Sequence, residues 1–420
     1  MTSRRGVLRG AVGAAAVAGI ASTTGAARLP EAAAPGFRTG FEALRDDGYA
    51  ALRGHRVGLV SNPTGVTRDL THIADTLHAA PGVNLVAVFG PEHGFRGSAQ
   101  AGGSEGDATD PRTGLPVYDT YGKTPDEIAA FFTKARLDQV VFDIQDAGAR
   151  FYTYIWTMYD CMRAAATAGV RFTVLDRPNP LGGVAATGPV LHPAYASGVG
   201  RAAIAQQHGM TVGELAGLFD AAFLGGAVRP QVIAMRGWRR GTPYEATGLP
   251  WVMPSPNMPT VDTAVVYPGL GMFEAVNLTE GRGTTRPFEI VGAPYADWHW
   301  VDDLNALGLP GVRFREAYFT PTFSKWTGKD CAGVQVTVTD RARFDAVRTG
   351  VAMIIAARRR YPKDFAWREA KPPYWIDTLT GSDQVRTAID AGRGTDAVVA
   401  GWRAELARFR VLRARHLLYR

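Results

Sequence analysis

Val86-Ala87-Val88-Phe89-Gly90-Pro91-Glu92-His93-Gly94-Phe95-Arg96-Gly97 carries an apolar run straight into a Gly-Pro break. The run has the β-branched and aromatic content of a buried strand, and proline cannot continue its ladder. Glu92 and His93 therefore emerge at the carboxyl end of a strand, where open α/β sheets bind their ligands.

Outward from that stretch the pattern repeats. Upstream lies a strand-like run, Arg56-Val57-Gly58-Leu59-Val60-Ser61-Asn62, stopped by Pro63-Thr64-Gly65 and followed by a helical stretch over 71–79. Downstream, helices are predicted over 125–134, 158–168 and 212–224, and strands over 139–144, 171–176 and 231–235. Strand and helix in alternation predict an α/β fold with a Rossmann-like, mostly parallel sheet. Strand-like runs over 312–318 and 333–338, helices over 342–359 and 382–391, and an amphipathic helix over 395–412 predict a smaller C-terminal α+β domain. The expected division is 1–35 as signal and spacer, 36–296 as the Rossmann-like domain and 297–420 as the accessory domain.

Two loops stand out. Residues 90–121 carry Glu105, Asp107, Asp110 and Asp119 among glycines, and a loop so long inside a compact domain is commonly functional. Residues 251–294 are dense in proline and glycine, which predicts irregular binding loops rather than long regular elements.

The 420 residues carry a formal charge of +7, but the first 35 contribute four arginines against one glutamate, so the remainder carries +4. No basic run with interleaved aromatics supports nucleic-acid binding. Ser3-Arg4-Arg5-Gly6-Val7-Leu8-Arg9, a short Ala/Gly-rich apolar stretch and the small residues near Ala26 resemble a Tat export signal, too short for a stable membrane anchor. Export predicts an extracellular, cell-wall or periplasmic protein. Cys161 and Cys331 fall in different expected domains and read as two buried thiols.

The candidate chemistry gathers at the strand ends. Glu92 leads, with His93 beside it. Asp143 closes an apolar strand, where a carboxylate is costly unless paired. Asp146 and Arg150 follow it, and an arginine in a cleft suits bidentate capture of a carboxylate. Tyr152 and Tyr154 offer flat faces for a ring or simply pack in the core. A zinc or magnesium site is the rival chemistry, but there is no H-E-x-x-H and no Cys/His cluster, so no metal is expected. The lack of a G-x-G-x-x-G turn after the first strand, and of a Walker loop, speaks against a dinucleotide or other nucleotide cofactor. Ser255 lies between prolines without a nucleophile elbow, which disfavours acyl transfer.

Five blocks together resemble one family: Gly90 to Phe95, Asp143 to Tyr154, Asp176-Arg177-Pro178-Asn179-Pro180, Pro254-Ser255-Pro256-Asn257-Met258-Pro259-Thr260, and Glu280-Gly281-Arg282-Gly283-Thr284-Thr285. The chain is similar, from about Gly58 to its C-terminus, to exo-β-N-acetylmuramidases of the NamZ type (glycoside hydrolase family 171), formerly a domain of unknown function. The resemblance implies an active site between a Rossmann-like and a C-terminal domain, with release of terminal non-reducing N-acetylmuramic acid from peptidoglycan fragments. It puts the catalytic glutamate at Glu92. His93 is expected to orient it. Glu280, Asp143, Asp146 or the sugar's own acetamido group is the expected second group. Asn257, Arg282 and Thr284 join Tyr152 as expected substrate contacts, with Arg282 or Arg150 for the lactyl carboxylate. A non-catalytic wall-binding protein and a metal-dependent hydrolase of a wall amide or ester are the competing readings. Neither oligomeric state nor stereochemical course follows from the sequence.

Overall fold

The computed structural model describes residues 36–370 and 374–420; the expected export signal and spacer at 1–35 lie outside the described residues. The first sheet takes strands β1 (Arg56–Ser61), β2 (Asn84–Gly90), β3 (Ala108–Thr109), β4 (Pro116–Asp119), β5 (Gln139–Asp143) and β6 (Arg171–Leu175). After β7 (Thr187–Val190) and β8 (Ala205–Gln207), which form a separate two-stranded sheet, β9 (Gln231–Ile233) completes it. The order is β3-β4-β2-β1-β5-β6-β9, parallel except for the β3–β4 pair. Its central strands are buried on both faces, which is why they read as continuous apolar runs rather than alternating ones.

The chain winds from β1 outward through β2 to β4, then returns to the other side of β1 as β5 and runs out to β6 and β9. The direction reverses between β1 and β5. Loops leaving β2 and β5 therefore face each other across the end of β1, the crevice where such sheets hold ligands.

A second, antiparallel sheet follows, with β10 (Ile290–Ala293), β11 (Val312–Phe319) and β12 (Cys331–Val338) in the order β10-β12-β11. β10 precedes the division expected at 297 yet pairs with β12, so this sheet draws on residues from both sides of that position. One hydrophobic core runs through both parts, joining Phe142 and Trp156 to Phe273, Trp300 and Ile354.

Three expectations need correction. Within the Pro/Gly-rich stretch, Val261–Leu270 is a helix with Pro268 inside it, capped at its start by the Thr260 hydroxyl, which accepts from Thr263 N at 3.2 Å. Nearly all of its residues are buried, and Gln206 Nε2 donates to the Pro268 carbonyl at 2.6 Å, so packing outweighs the helix-breaking tendency of proline. The long helix expected over 395–412 is two helices, Thr395–Gly401 and Arg403–Ala414, because the chain turns at Trp402 to bury that indole. The stretch 90–121, expected as one long loop, contains β3 and β4, and its acidic residues brace it from within. Asp110 accepts from Arg96 Nε at 2.8 Å, and Glu105 accepts from the backbone N of Arg96 and Ser98 at 3.1 and 2.8 Å.

Candidate active site

A cavity of about 970 Å³ opens at the topological switch and is walled on its far side by the C-terminal part. Glu92, just beyond β2, projects into it. Its Oε2 accepts from the Thr153 hydroxyl at 2.6 Å and its Oε1 from Gly102 N at 2.8 Å. Thr153 precedes the helix Tyr154–Ala168 that follows β5, so Glu92 ties together the two loops that flank β1. Burial first, then the negative charge of Glu92, raises the pKa of the nearby Tyr121 hydroxyl.

His93 lines the same edge in a left-handed conformation, φ +71°. Its backbone N donates to Gly103 O and its Nδ1 lies against Ala99 O, each at 2.9 Å. These bonds close the 93–103 loop. His93 makes no hydrogen bond to Glu92; Thr153 and Gly102 do the orienting expected of it.

Five expected ligand residues, Asp143, Asp146, Arg150, Asn257 and Thr284, lie outside the cavity lining. Asp143 is fully buried and ion-paired with Arg177. Asp146 accepts from Gly148 N at 2.7 Å and from His208 Nε2 at 3.1 Å, which shapes the turn after β5. Arg150 is wholly buried and donates at 2.8 Å to the carbonyls of Pro189, Ile204 and Leu379. Burial pushes its pKa down to about 9. It staples backbone segments and leaves no face for a ligand. Asn257 is buried behind lining residues Ser255 and Met258, and the Thr284 hydroxyl is spent on the Gly281 carbonyl at 2.6 Å.

Tyr152, Glu280 and Arg282 do line the cavity. The Tyr152 hydroxyl is buried and has no hydrogen-bond partner among the described residues, whereas the Tyr154 hydroxyl donates to the Pro254 carbonyl. Glu280 is almost completely buried. Its Oε1 lies 3.1 Å from Arg282 Nε and its Oε2 2.8 Å from Lys325 Nζ. Burial alone raises its pKa, but Lys325 and Arg282 overcome that and hold the carboxyl below the usual range. Arg282 also reaches Glu274 at 2.8 Å.

The sequence reading passed over Lys325, Glu274 and Arg368, along with the indoles of Trp326, Trp367 and Trp375, all of which line the cavity. Lys325-Trp326 was the visible signal, a cation beside an aromatic in a loop containing Gly328. Among the described residues no three His, Cys, Asp or Glu side chains gather as metal ligands, and Cys161 and Cys331 are separate buried thiols.

Fold and site together define a two-domain α/β protein whose cleft pairs an acid at the sheet's switch point with an aromatic, ion-paired wall from the C-terminal part. Residues 57–262 match the family model described as exo-beta-N-acetylmuramidase NamZ, N-terminal, and residues 265–419 match its C-terminal counterpart. The chain belongs to the exo-beta-N-acetylmuramidase NamZ family. It is 46% identical over 386 residues, 92% of each chain, to the peptidoglycan beta-N-acetylmuramidase NamZ of Bacillus subtilis (strain 168). Crystal structures of two DUF1343 family proteins from Bacteroides fragilis NCTC 9343 superpose with TM-scores of 0.82 and 0.71, at 35% and 29% identity. Each covers 91% of this chain and 99% of its own.

Proposed function

We propose that this protein is an exo-acting glycoside hydrolase that releases terminal non-reducing N-acetylmuramic acid from peptidoglycan fragments, with Glu92 as general acid/base. One observation carries the assignment: of the three lining glutamates, Glu274 and Glu280 are ion-paired, and Glu92 alone has only neutral donors among the described residues. A carboxyl held by one hydroxyl and one amide can give and recover a proton, whereas Glu280, with a cation on each oxygen, is suited to fixing the far wall.

In its acid form Glu92 gives its proton to the glycosidic oxygen as the bond to the anomeric carbon breaks. Asp143 and Asp146 lie outside the lining and Glu280 is ion-paired on both oxygens, which supports the sugar's acetamido oxygen as the group that bonds that carbon. Glu92, now a carboxylate, then takes a proton from the water that opens the intermediate.

Glu92→Gln should lower release of the sugar from a chromogenic muramide by about 10²- to 10⁴-fold, the usual worth of a general acid, with thermal unfolding unchanged. Near-normal turnover would sink the assignment. A trifluoroacetamido substrate should be cut more slowly than its acetamido parent if the acetamido oxygen attacks; equal rates would point to a protein nucleophile or direct attack by water. Release of free N-acetylmuramic acid by the pure protein separates catalysis from mere wall binding, and chelation tests the metal-dependent reading. The twin-arginine stretch supports export to where such a substrate lies; fractionation of cells expressing Arg4→Lys/Arg5→Lys tests that placement.

A further inference from the structure

Three carboxylates (Glu92, Glu274, Glu280) and three basic side chains (Arg282, Lys325, Arg368) line the cavity. Pairing removes most of them from play. Arg282 is shared between Glu274 and Glu280, at 2.8 and 3.1 Å, and its guanidinium also sits 5.1 Å from the Phe288 ring centroid. Lys325 Nζ lies 2.8 Å from Glu280 Oε2, 2.7 Å from Phe273 O and 3.1 Å from Leu278 O, which uses all three ammonium protons. Among the described residues, what remains is one acid without a cation, Glu92, and one cation without an acid, Arg368.

Two backbone hydrogen bonds fix the place of Arg368. Its backbone N donates to Ala275 O at 2.8 Å and its carbonyl accepts from Trp375 N at 2.9 Å, so both flanking segments hold its Cα. Its guanidinium lies 5.6 Å from the Trp375 ring centroid, and no carboxylate among the described residues comes within 4.0 Å of it. The side chain is exposed on the cavity side, its donor fork unspent. A planar fork lying over an aromatic, with no acidic partner among the described residues, is suited to capture a carboxylate.

We propose that Arg368 binds the lactyl carboxylate that distinguishes N-acetylmuramic acid from N-acetylglucosamine, and so sets the charge specificity of the site. The proposal rests on the muramidase reading above. It replaces Arg150, which is caged by carbonyls, and Arg282, which is neutralised by two glutamates.

The test compares chromogenic muramides bearing the free lactyl carboxylate or its methyl ester, using wild type, Arg368→Gln and Arg368→Lys. Wild type should favour the acid, and that preference in kcat/KM should fall by about 10-fold or more in Arg368→Gln, roughly the worth of one charge-assisted hydrogen bond. Arg368→Lys should recover part of it, and unfolding temperatures should match throughout because the side chain is exposed. An unchanged acid-to-ester ratio in Arg368→Gln, or equal loss on both substrates, would overturn the assignment. If wild type cut neither substrate, the muramidase reading would fail instead. Calorimetric binding of free N-acetylmuramic acid against N-acetylglucosamine by the same three proteins would then still decide whether Arg368 reads the carboxylate.

Discussion

Glu280 has the most to lose from a single atom change. It is nearly fully buried between Lys325 and Arg282, and removing its charge would leave Lys325 without an acid and Arg282 with Glu274 alone. Glu280→Gln should therefore cost about 3 kcal/mol in urea unfolding, the scale for breaking one side of a buried pair. The sign of the pH effect follows from the lowered pKa: the contribution is present above the ordinary value of 4.5 and is lost as pH falls through the lower folded value. The variant should accordingly show a shallower acid limb than wild type. Glu92 and Glu280 were both legible as motif residues, but nothing local marks one as hydrogen-bonded by neutral donors and the other as ion-paired. Arg150 teaches the same lesson. An arginine past a strand end looks like a ligand grip, yet the carbonyls that cage it come from residues 189, 204 and 379.

At the level of elements, the helix Val261–Leu270 brings Tyr267 to the cavity and crosses the helix Ala346–Arg360 through a pair of glycines. A Cβ on Gly269 would stand 1.8 Å from Ala346 O, and one on Gly350 would stand 2.5 Å from Gly269 O. Neither contact can relax without moving a backbone. Gly350→Ala should destabilise the protein by about 1–3 kcal/mol, as overpacking does, and should lower kcat/KM by displacing Tyr267; thermal unfolding and steady-state kinetics together check this. The βα alternation of the first domain was readable because each strand is a short apolar run bounded by turn residues. This helix was not, because Pro268-Gly269 reads as a turn and only burial against a distant helix makes it otherwise.

Across the whole molecule, the C-terminal segment folds back onto the first sheet. Arg413 and Arg410 donate to the carbonyls of Gly209 and Ala186, and the Tyr419 hydroxyl donates to Asp176 at 2.5 Å. Asp176 also accepts from Thr211 Oγ1 and Gly213 N, each at 2.8 Å, yet complete burial raises its pKa to about 7. A folded pKa above the ordinary carboxylate value of 3.8 means that the native state holds a proton the unfolded chain has lost. This group's contribution is therefore full below about 3.8 and is lost as pH rises to about 7. Asp176→Asn should flatten the pH dependence of unfolding across that window, and an unaltered profile would refute the assignment.

The sequence alone determined that alternating strands and helices build a mostly parallel sheet, that Glu92 leaves the end of its second strand, and that the five blocks belong to one family. These are local facts, written in apolar periodicity, turn residues and contiguous motifs. Which charges are paired was decided only by tertiary structure. Glu274, Glu280, Arg282, Lys325 and Arg368 lie far along the chain from Glu92, and they share one cavity only because the second sheet closes over the switch point of the first. Ion pairing and desolvation act across such contacts over a few ångströms of space, a distance that separation along the chain does not encode.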